Sequence, residues 1–239
     1  MLMIKELNFA FNSINGNKTK KILDNISLNI KNGELISILG SSGCGKTTFA
    51  NLLAGYLKPI SGKIILNEKE INRPGKDRFV INQENDLFEW MTVKENIEFV
   101  TKKPIKKYLE IVHLTGNENK YPHELSGGMK KRASIARALA LETDILIFDE
   151  AFSSLDYQVK EKIYLEILEI WKKTKKTMIL ITHDIEEAIF LSNKIIILSK
   201  NPATIKSTII VPFKRPRKNN IKESKEFMKI KKVIQRSTD

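Results

Sequence analysis

The sequence predicts an α/β fold, and three observations predict it. Short β-rich runs alternate with helical ones along the chain, the pattern of strands joined by helices. Residues 145–148 and 177–181 read as apolar strands, suited to a parallel sheet covered on both faces. Residues 157–173, between them, have the length and pattern of a crossover helix.

The elements follow in order. Residues 22–30 (ILDNISLNI) alternate apolar and polar side chains, which marks a half-buried strand. Residues 35–39 read as a buried strand ending at a glycine, and 47–54 as a helix. Residues 63–66 and 79–81 are strand-like. Residues 92–114 read as helical, interrupted near Pro104, and 127–141 carry a strong helix pattern. Residues 195–198 and 205–211 supply two more strands. No internal repeat is visible. Residues 212–220 break the pattern and read as a linker, and 221–236 suit either a short basic helix or a disordered tail.

The chain has 239 residues, enough to bury a sizeable core without covalent staples. Its single cysteine, Cys44, excludes an internal disulfide framework. The N-terminal residues lack the apolar core of a signal peptide. The longest apolar runs fall far short of the roughly 20 residues a membrane span needs. A soluble cytoplasmic protein is expected, held at a membrane only through a partner. Net charge is +13, and the 10 basic and 3 acidic residues from Lys214 onward account for +7 of it. Such a tail suits nucleic acid, anionic lipid, an acidic partner or solvent alone.

Three motifs carry chemistry. Gly40, Ser41, Ser42, Gly43, Cys44, Gly45, Lys46 and Thr47, followed by Thr48, fit the phosphate-loop pattern GxxxxGK[ST] between a strand and a helix. Glycines let main-chain N–H groups turn inward around phosphate oxygens, and the new helix points its positive end at the same charge. Lys46 can reach the β- and γ-phosphates, Thr47 can ligate Mg²⁺, and Cys44 lends only its backbone. Next, residues 145–148 deliver Asp149 and Glu150 to a strand end, where open α/β sheets bind ligands. Asp149 suits a Mg²⁺ held through water, and Glu150 a general base that polarises the attacking water. Third, Ser126, Gly127 and Gly128 open a basic helix. Alone they read as an ordinary helix cap; beside a phosphate loop they read as a second anion site.

LSGG followed closely by a strand ending in Asp-Glu, all downstream of this phosphate loop, resembles the ATP-binding cassette (ABC) ATPases. The resemblance covers about residues 2–212. It implies a P-loop NTPase cassette with a RecA-like core, an antiparallel β subdomain and a short helical subdomain inserted at about 84–135. Residues 213–239 then form a basic tail. By the same resemblance Gln83 matches the glutamine that touches Mg²⁺ and links the site to a transmembrane partner. Asp156, in Ser-Ser-Leu-Asp, matches the D-loop aspartate near the nucleotide. His183, in Ile-Thr-His-Asp, matches the switch histidine at the γ-phosphate. Phe11 is the aromatic placed to stack on adenine, with Phe9 two residues away. His113 is read as lying on a helix surface, His123 as shaping a loop, and Trp90 and Trp171 as packing residues.

The stretch from Trp90 to Ile97, the run Tyr121-Pro-His-Glu before LSGG, and Arg215-Pro-Arg217 resemble bacterial importer cassettes for nitrate, sulfonate, taurine or thiamine precursors. That resemblance implies an ATP- and Mg²⁺-dependent cassette that dimerises. It would sit on the cytoplasmic face of the membrane, with two permease subunits and an extracytoplasmic solute-binding protein. Two departures stand out: the stretch from Gln83 to Leu125 is shorter than the usual lobe by about one helix, and Glu89 replaces a frequent proline. The alternative, a soluble nucleic-acid-associated cassette, is weakened by a tail whose only aromatics are Phe213 and Phe227. Nucleic acid is therefore not among the expected partners.

Overall fold

The computed structural model describes residues 1–12, 19–84 and 86–238. In chain order the first strands and helix are β1 (Leu2–Asn12), β2 (Thr19–Ile30), β3 (Leu35–Leu39), α1 (Lys46–Ala54), β4 (Ser61–Leu66), β5 (Lys69–Glu70) and β6 (Arg78–Asn82). Then come α2 (Val93–Glu98), α3 (Lys106–Ile111), α4 (Gly127–Ala140), β7 (Ile145–Asp149) and α5 (Tyr157–Thr174). The chain closes with β8 (Thr177–Thr182), α6 (Ile185–Leu191), β9 (Lys194–Leu198), β10 (Ile205–Ile210) and α7 (Lys225–Thr238). These elements form two compact units, Met1–Gly75 with Thr177–Asp239, and Lys76–Lys176.

The first unit holds two sets of strands. An antiparallel sheet has the order β2-β1-β4-β5. The sequence reading did not include β1, and the reason is local. Its buried residues are Leu2 and Ile4, then Leu7 and Phe9, so the alternation slips by one. The slip falls where Glu6 has φ 47° and where pairing to both neighbours shifts register. Gly62 accommodates the bulge, because a Cβ there would lie 2.2 Å from the Glu6 carbonyl oxygen. The other set is mixed: β3 pairs in parallel with β8 on one side and β9 on the other, and β10 runs antiparallel along β9. All five residues of β3 are buried.

The C-terminal segment corrects the expected linker. Arg217 is 3 % exposed and donates to the carbonyls of Ile189 (3.0 Å), Phe190 (2.7 Å) and Ser192 (2.8 Å). These are the last carbonyls of α6 and its exit, and a cation there also meets the negative end of the helix dipole. Burial first, then the charge of Arg215, push the Arg217 pKa down to about 9. Beyond it, α7 decides between helix and disorder. Phe227 and Ile234 are buried in a cluster with Leu39, Ala188 and Ile195. Each such side chain contributes about 2 kcal/mol, enough to hold an otherwise marginal helix. Phe213 stacks on Phe227 at 6.0 Å, so both tail aromatics are engaged in packing. Lys225, Lys229, Lys232 and Arg236 face solvent.

In the second unit β6 and β7 pair in parallel, from Arg78 opposite Ile145 to Asn82 opposite Asp149. α4 packs on β6, α2, α3 and α5. The expected break near Pro104 separates two short helices, α2 and α3, within 92–114. α2 starts at a capping box: Thr92 Oγ1 accepts from the Glu95 N–H, and the Glu95 carboxylate accepts from the Thr92 N–H. After α3 the chain turns, and His113 sits in that turn at φ 54°, not on a helix, with Nε2 3.2 Å from the Glu169 carboxylate. Trp90 is not a core residue either. It is 72 % exposed and leans on Phe88.

The loop that carries Trp90 is pinned from below. Asn96 is fully buried; its Oδ1 accepts from the Phe88 N–H (2.8 Å), and its Nδ2 donates toward the carbonyls of Phe88 (3.1 Å) and Met91 (3.0 Å). Asn96→Leu keeps the branched shape and removes the side-chain partners of the Phe88 N–H and the Met91 carbonyl. It is expected to cost about 2 to 3 kcal/mol, read as a melting temperature lower by about 5 to 10 °C. An unchanged melting temperature contradicts the pinning.

Candidate nucleotide-binding site

The phosphate-loop residues lie in the first unit. Gly40 leaves β3 under a tight constraint, since a Cβ on it would meet the Cys44 sulfur at 2.6 Å. Gly45 starts α1 at φ +105°, where a Cβ would strike Ile22 at 2.7 Å. Gly45 demands glycine at that left-handed φ, and at Gly40 a Cβ would have to displace the Cys44 side chain. Lys46 is 4 % exposed, and its ammonium donates to the Ser41 carbonyl at 3.1 Å across the loop. Ser42, Gly43 and Thr47 are exposed, while Ser41 and Thr48 are half-buried. Cys44 is buried, and burial raises its thiol pKa against the pull of Lys46, which suits a backbone role. Phe49, Leu52 and Leu53 bury the far face of α1 and fix its direction.

His183 is exposed one residue beyond β8. In the β3–β8 register Leu39 lies opposite Thr182, so Gly40 and His183 leave adjacent parallel strands side by side. The histidine's flanks are locked. The Asp184 N–H donates to Thr182 Oγ1 (3.0 Å), which donates to the Glu187 carboxylate (2.7 Å). Asp184 in turn caps α6 through the N–H groups of Glu186 and Glu187. Phe11, 48 % exposed, packs edge-on to Phe9 at 4.9 Å. It pairs with Lys20 on β2, the strand whose Ile22 backs Gly45.

The second unit repeats this strand-end geometry. Asn82 lies opposite Asp149, so Gln83 and Glu150 leave β6 and β7 side by side. Asp149 is 8 % exposed, and Gln83 is exposed. Glu150 has φ 48°, in the left-handed region that non-glycine residues rarely enter. A turn holds it there: its carbonyl accepts from the Ser153 N–H (3.1 Å) and the Ser153 hydroxyl (2.8 Å).

Ser126 caps α4, accepting from the Met129 N–H at 3.3 Å. Ser126 and Gly127 are exposed, and Gly128 is buried. A Cβ on Gly127 would meet Leu155 at 2.6 Å. Asp156 caps α5, accepting from the Val159 N–H at 2.9 Å. An open hollow of about 450 Å³ connects these two helix starts, lined by Ser126, Gly128, Asp156, Lys162 and the pair Arg132–Glu166. Sequence reasoning missed Lys131, which lies beneath Gln83, and Asn96. Both act on main-chain carbonyls, which leave no side-chain pattern to read.

A glycine-rich turn from strand to helix, with carboxylate and amide side chains at the ends of parallel strands, is the arrangement of a phosphate-loop nucleotide-binding protein. The model of the ABC transporter family matches residues 23–153. A taurine import ATP-binding protein of Pelagibacter ubique is 40 % identical over 89 % of this chain and 83 % of its own length. An aliphatic sulfonates import ATP-binding protein of Bacillus cereus is 39 % identical over 97 % and 93 %. A solved dimeric ATP-binding cassette in a post-hydrolysis state, bound to ADP and Pi, superposes with TM-score 0.74 at 27 % identity, covering 90 % of this chain and 100 % of that one. The chain belongs to the ABC transporter family and has the fold of its ATP-binding cassettes, which are the transporter's ATPases.

Proposed function

We propose that this chain is the ATP-hydrolysing subunit of an importer for a small anionic or nutrient solute of the taurine, sulfonate or nitrate kind. One observation carries the catalytic part: Gly40 with His183, and Gln83 with Glu150, leave paired parallel strands at matched positions. The named relatives support import as the work done.

In this reading main-chain N–H groups of residues 40–48 and Lys46 hold the phosphates of ATP, and Phe11 stacks on adenine. Glu150 takes a proton from the attacking water. His183 and Lys46 meet the charge that develops on the transferring phosphoryl group. Ser126, Gly127 and Gly128, with Asp156 nearby, serve the nucleotide of a second copy. Mg²⁺ neutralises phosphate charge when bound. The residues fit it: the Thr47 hydroxyl, the Gln83 amide and the buried Asp149 carboxylate are all oxygen donors. Among the described residues no cluster of three or more His, Cys, Asp or Glu forms a cage. Mg²⁺ suits such a site because it takes few protein ligands and completes its shell with phosphates and water.

No helix among the described residues is long and apolar enough to cross a membrane. In this reading two permease subunits dock against the exposed aromatics Trp90 and Phe99, both packed on Phe88. A solute-binding protein completes the assembly on the other side of the membrane. Purification from gently solubilised native membranes tests the reading. A polytopic permease recovered in equal amount is the expected result, with ATPase activity stimulated by a taurine-, sulfonate- or nitrate-loaded partner. Recovery of only soluble partners or nucleic acid overturns it.

A further inference from the structure

The helix that begins beside Ser126 also carries Lys131. Lys131 is 5 % exposed, and burial lowers its pKa while the charge of Asp86 opposes that shift. Its ammonium donates to three consecutive main-chain carbonyls: Asn82, Gln83 (2.8 Å) and Glu84 (3.0 Å). An ammonium has three N–H donors, so three carbonyls use its full capacity. The path that residues 82–84 follow meets that count. Asp86 closes the loop from the other side, accepting from the Asn82 N–H and from Asn82 Nδ2, each at 3.0 Å. The Gln83 side chain stays exposed while its backbone is held.

We propose that Lys131 is a positioning residue for Gln83. It fixes the backbone before, at and after Gln83, so the side-chain amide leaves β6 in one direction. It also ties that direction to α4, the helix that Ser126 caps. A shift of α4 is then carried to Gln83 through three hydrogen bonds rather than through loose packing. A methionine of similar length would fill the same space without the desolvation of a charge. The ammonium's distinctive contribution is therefore the fixed path of residues 82–84.

The inference rests on the reading of Gln83 as a magnesium ligand, and the test separates the two. Binding of a non-hydrolysable ATP analogue is titrated with Mg²⁺ by calorimetry for the wild type, Gln83→Ala, Lys131→Met and the double variant. Lys131→Met is expected to raise the half-saturating Mg²⁺ about tenfold, the scale on which an outer-shell partner orients a metal ligand. Affinity for the analogue without Mg²⁺ is expected to stay the same. The double variant is expected to be no weaker than Gln83→Ala alone. If Gln83→Ala shifts the Mg²⁺ requirement and Lys131→Met does not, or if the two effects add, the inference falls and the ligand reading stands. If Gln83→Ala itself shifts nothing, the ligand reading falls and takes the inference with it. Lys131→Gln keeps two N–H donors and decides the matter if Lys131→Met does not fold: an intermediate shift supports the positioning role, and no shift overturns it.

Discussion

Glu150→Gln is expected to bind ATP with unchanged affinity and to hydrolyse it about a hundred- to ten-thousandfold more slowly. The amide matches the carboxylate in shape, so the loss isolates one property, the capacity to accept a proton. The backbone at the site is expected to stay in place. Glu150 holds its left-handed backbone through its own carbonyl, bonded to the N–H and hydroxyl of Ser153, and the substitution leaves these groups intact. Glutamine occupies that backbone region no less readily than glutamate does. Nucleotide-bound dimers should then accumulate, because the closed state is no longer emptied by turnover. Sedimentation with and without ATP reads the dimer, and single-turnover phosphate release reads the chemistry. Turnover at the wild-type rate places the base elsewhere.

Gly40, Asp149, Glu150 and His183 stood out because each follows a strand run that the sequence also shows. Residues 35–39, 145–148 and 177–181 are apolar enough to mark buried strands, and Gly40, Asp149 with Glu150, and His183 come directly after them. Motif and strand end confirm each other there. β1 was not legible, because the bulge at Glu6 shifts its apolar residues from one face's phase to the other's. The C-terminal segment misled for a different reason. Its prolines and positive charges resemble a linker, yet Arg217 is spent on the carbonyls at the end of α6, and Phe227 and Ile234 are core. α6, only seven residues long, offers too few turns for a helical period to stand out. Trp90 shows the converse limit. An aromatic in a sequence reads as packing, and only the structure shows that Asn96 holds its loop outward.

The second large effect tests the proposal that two copies share two nucleotides. Lys46→Ala removes the ammonium that spans the phosphate loop, and Gly127→Asp places a carboxylate at the exposed start of α4, where a phosphate would approach. A Cβ at Gly127 meets only the end of the Leu155 side chain, which can turn aside, so folding is expected to survive. Each variant alone should trap no nucleotide when combined with Glu150→Gln, since every site in its homodimer lacks one half. Mixed in equal amounts they form heterodimers in which one site carries both defects and the other neither. About a quarter of the wild-type number of sites is then intact, by the statistics of random pairing in a symmetric dimer. Trapped ATP should rise from background to that level on mixing. A site built within one copy makes the opposite prediction, because every site in the mixture then keeps a single defect. No gain on mixing, with heterodimers shown to form, would place the Ser126–Gly128 segment outside the shared nucleotide site.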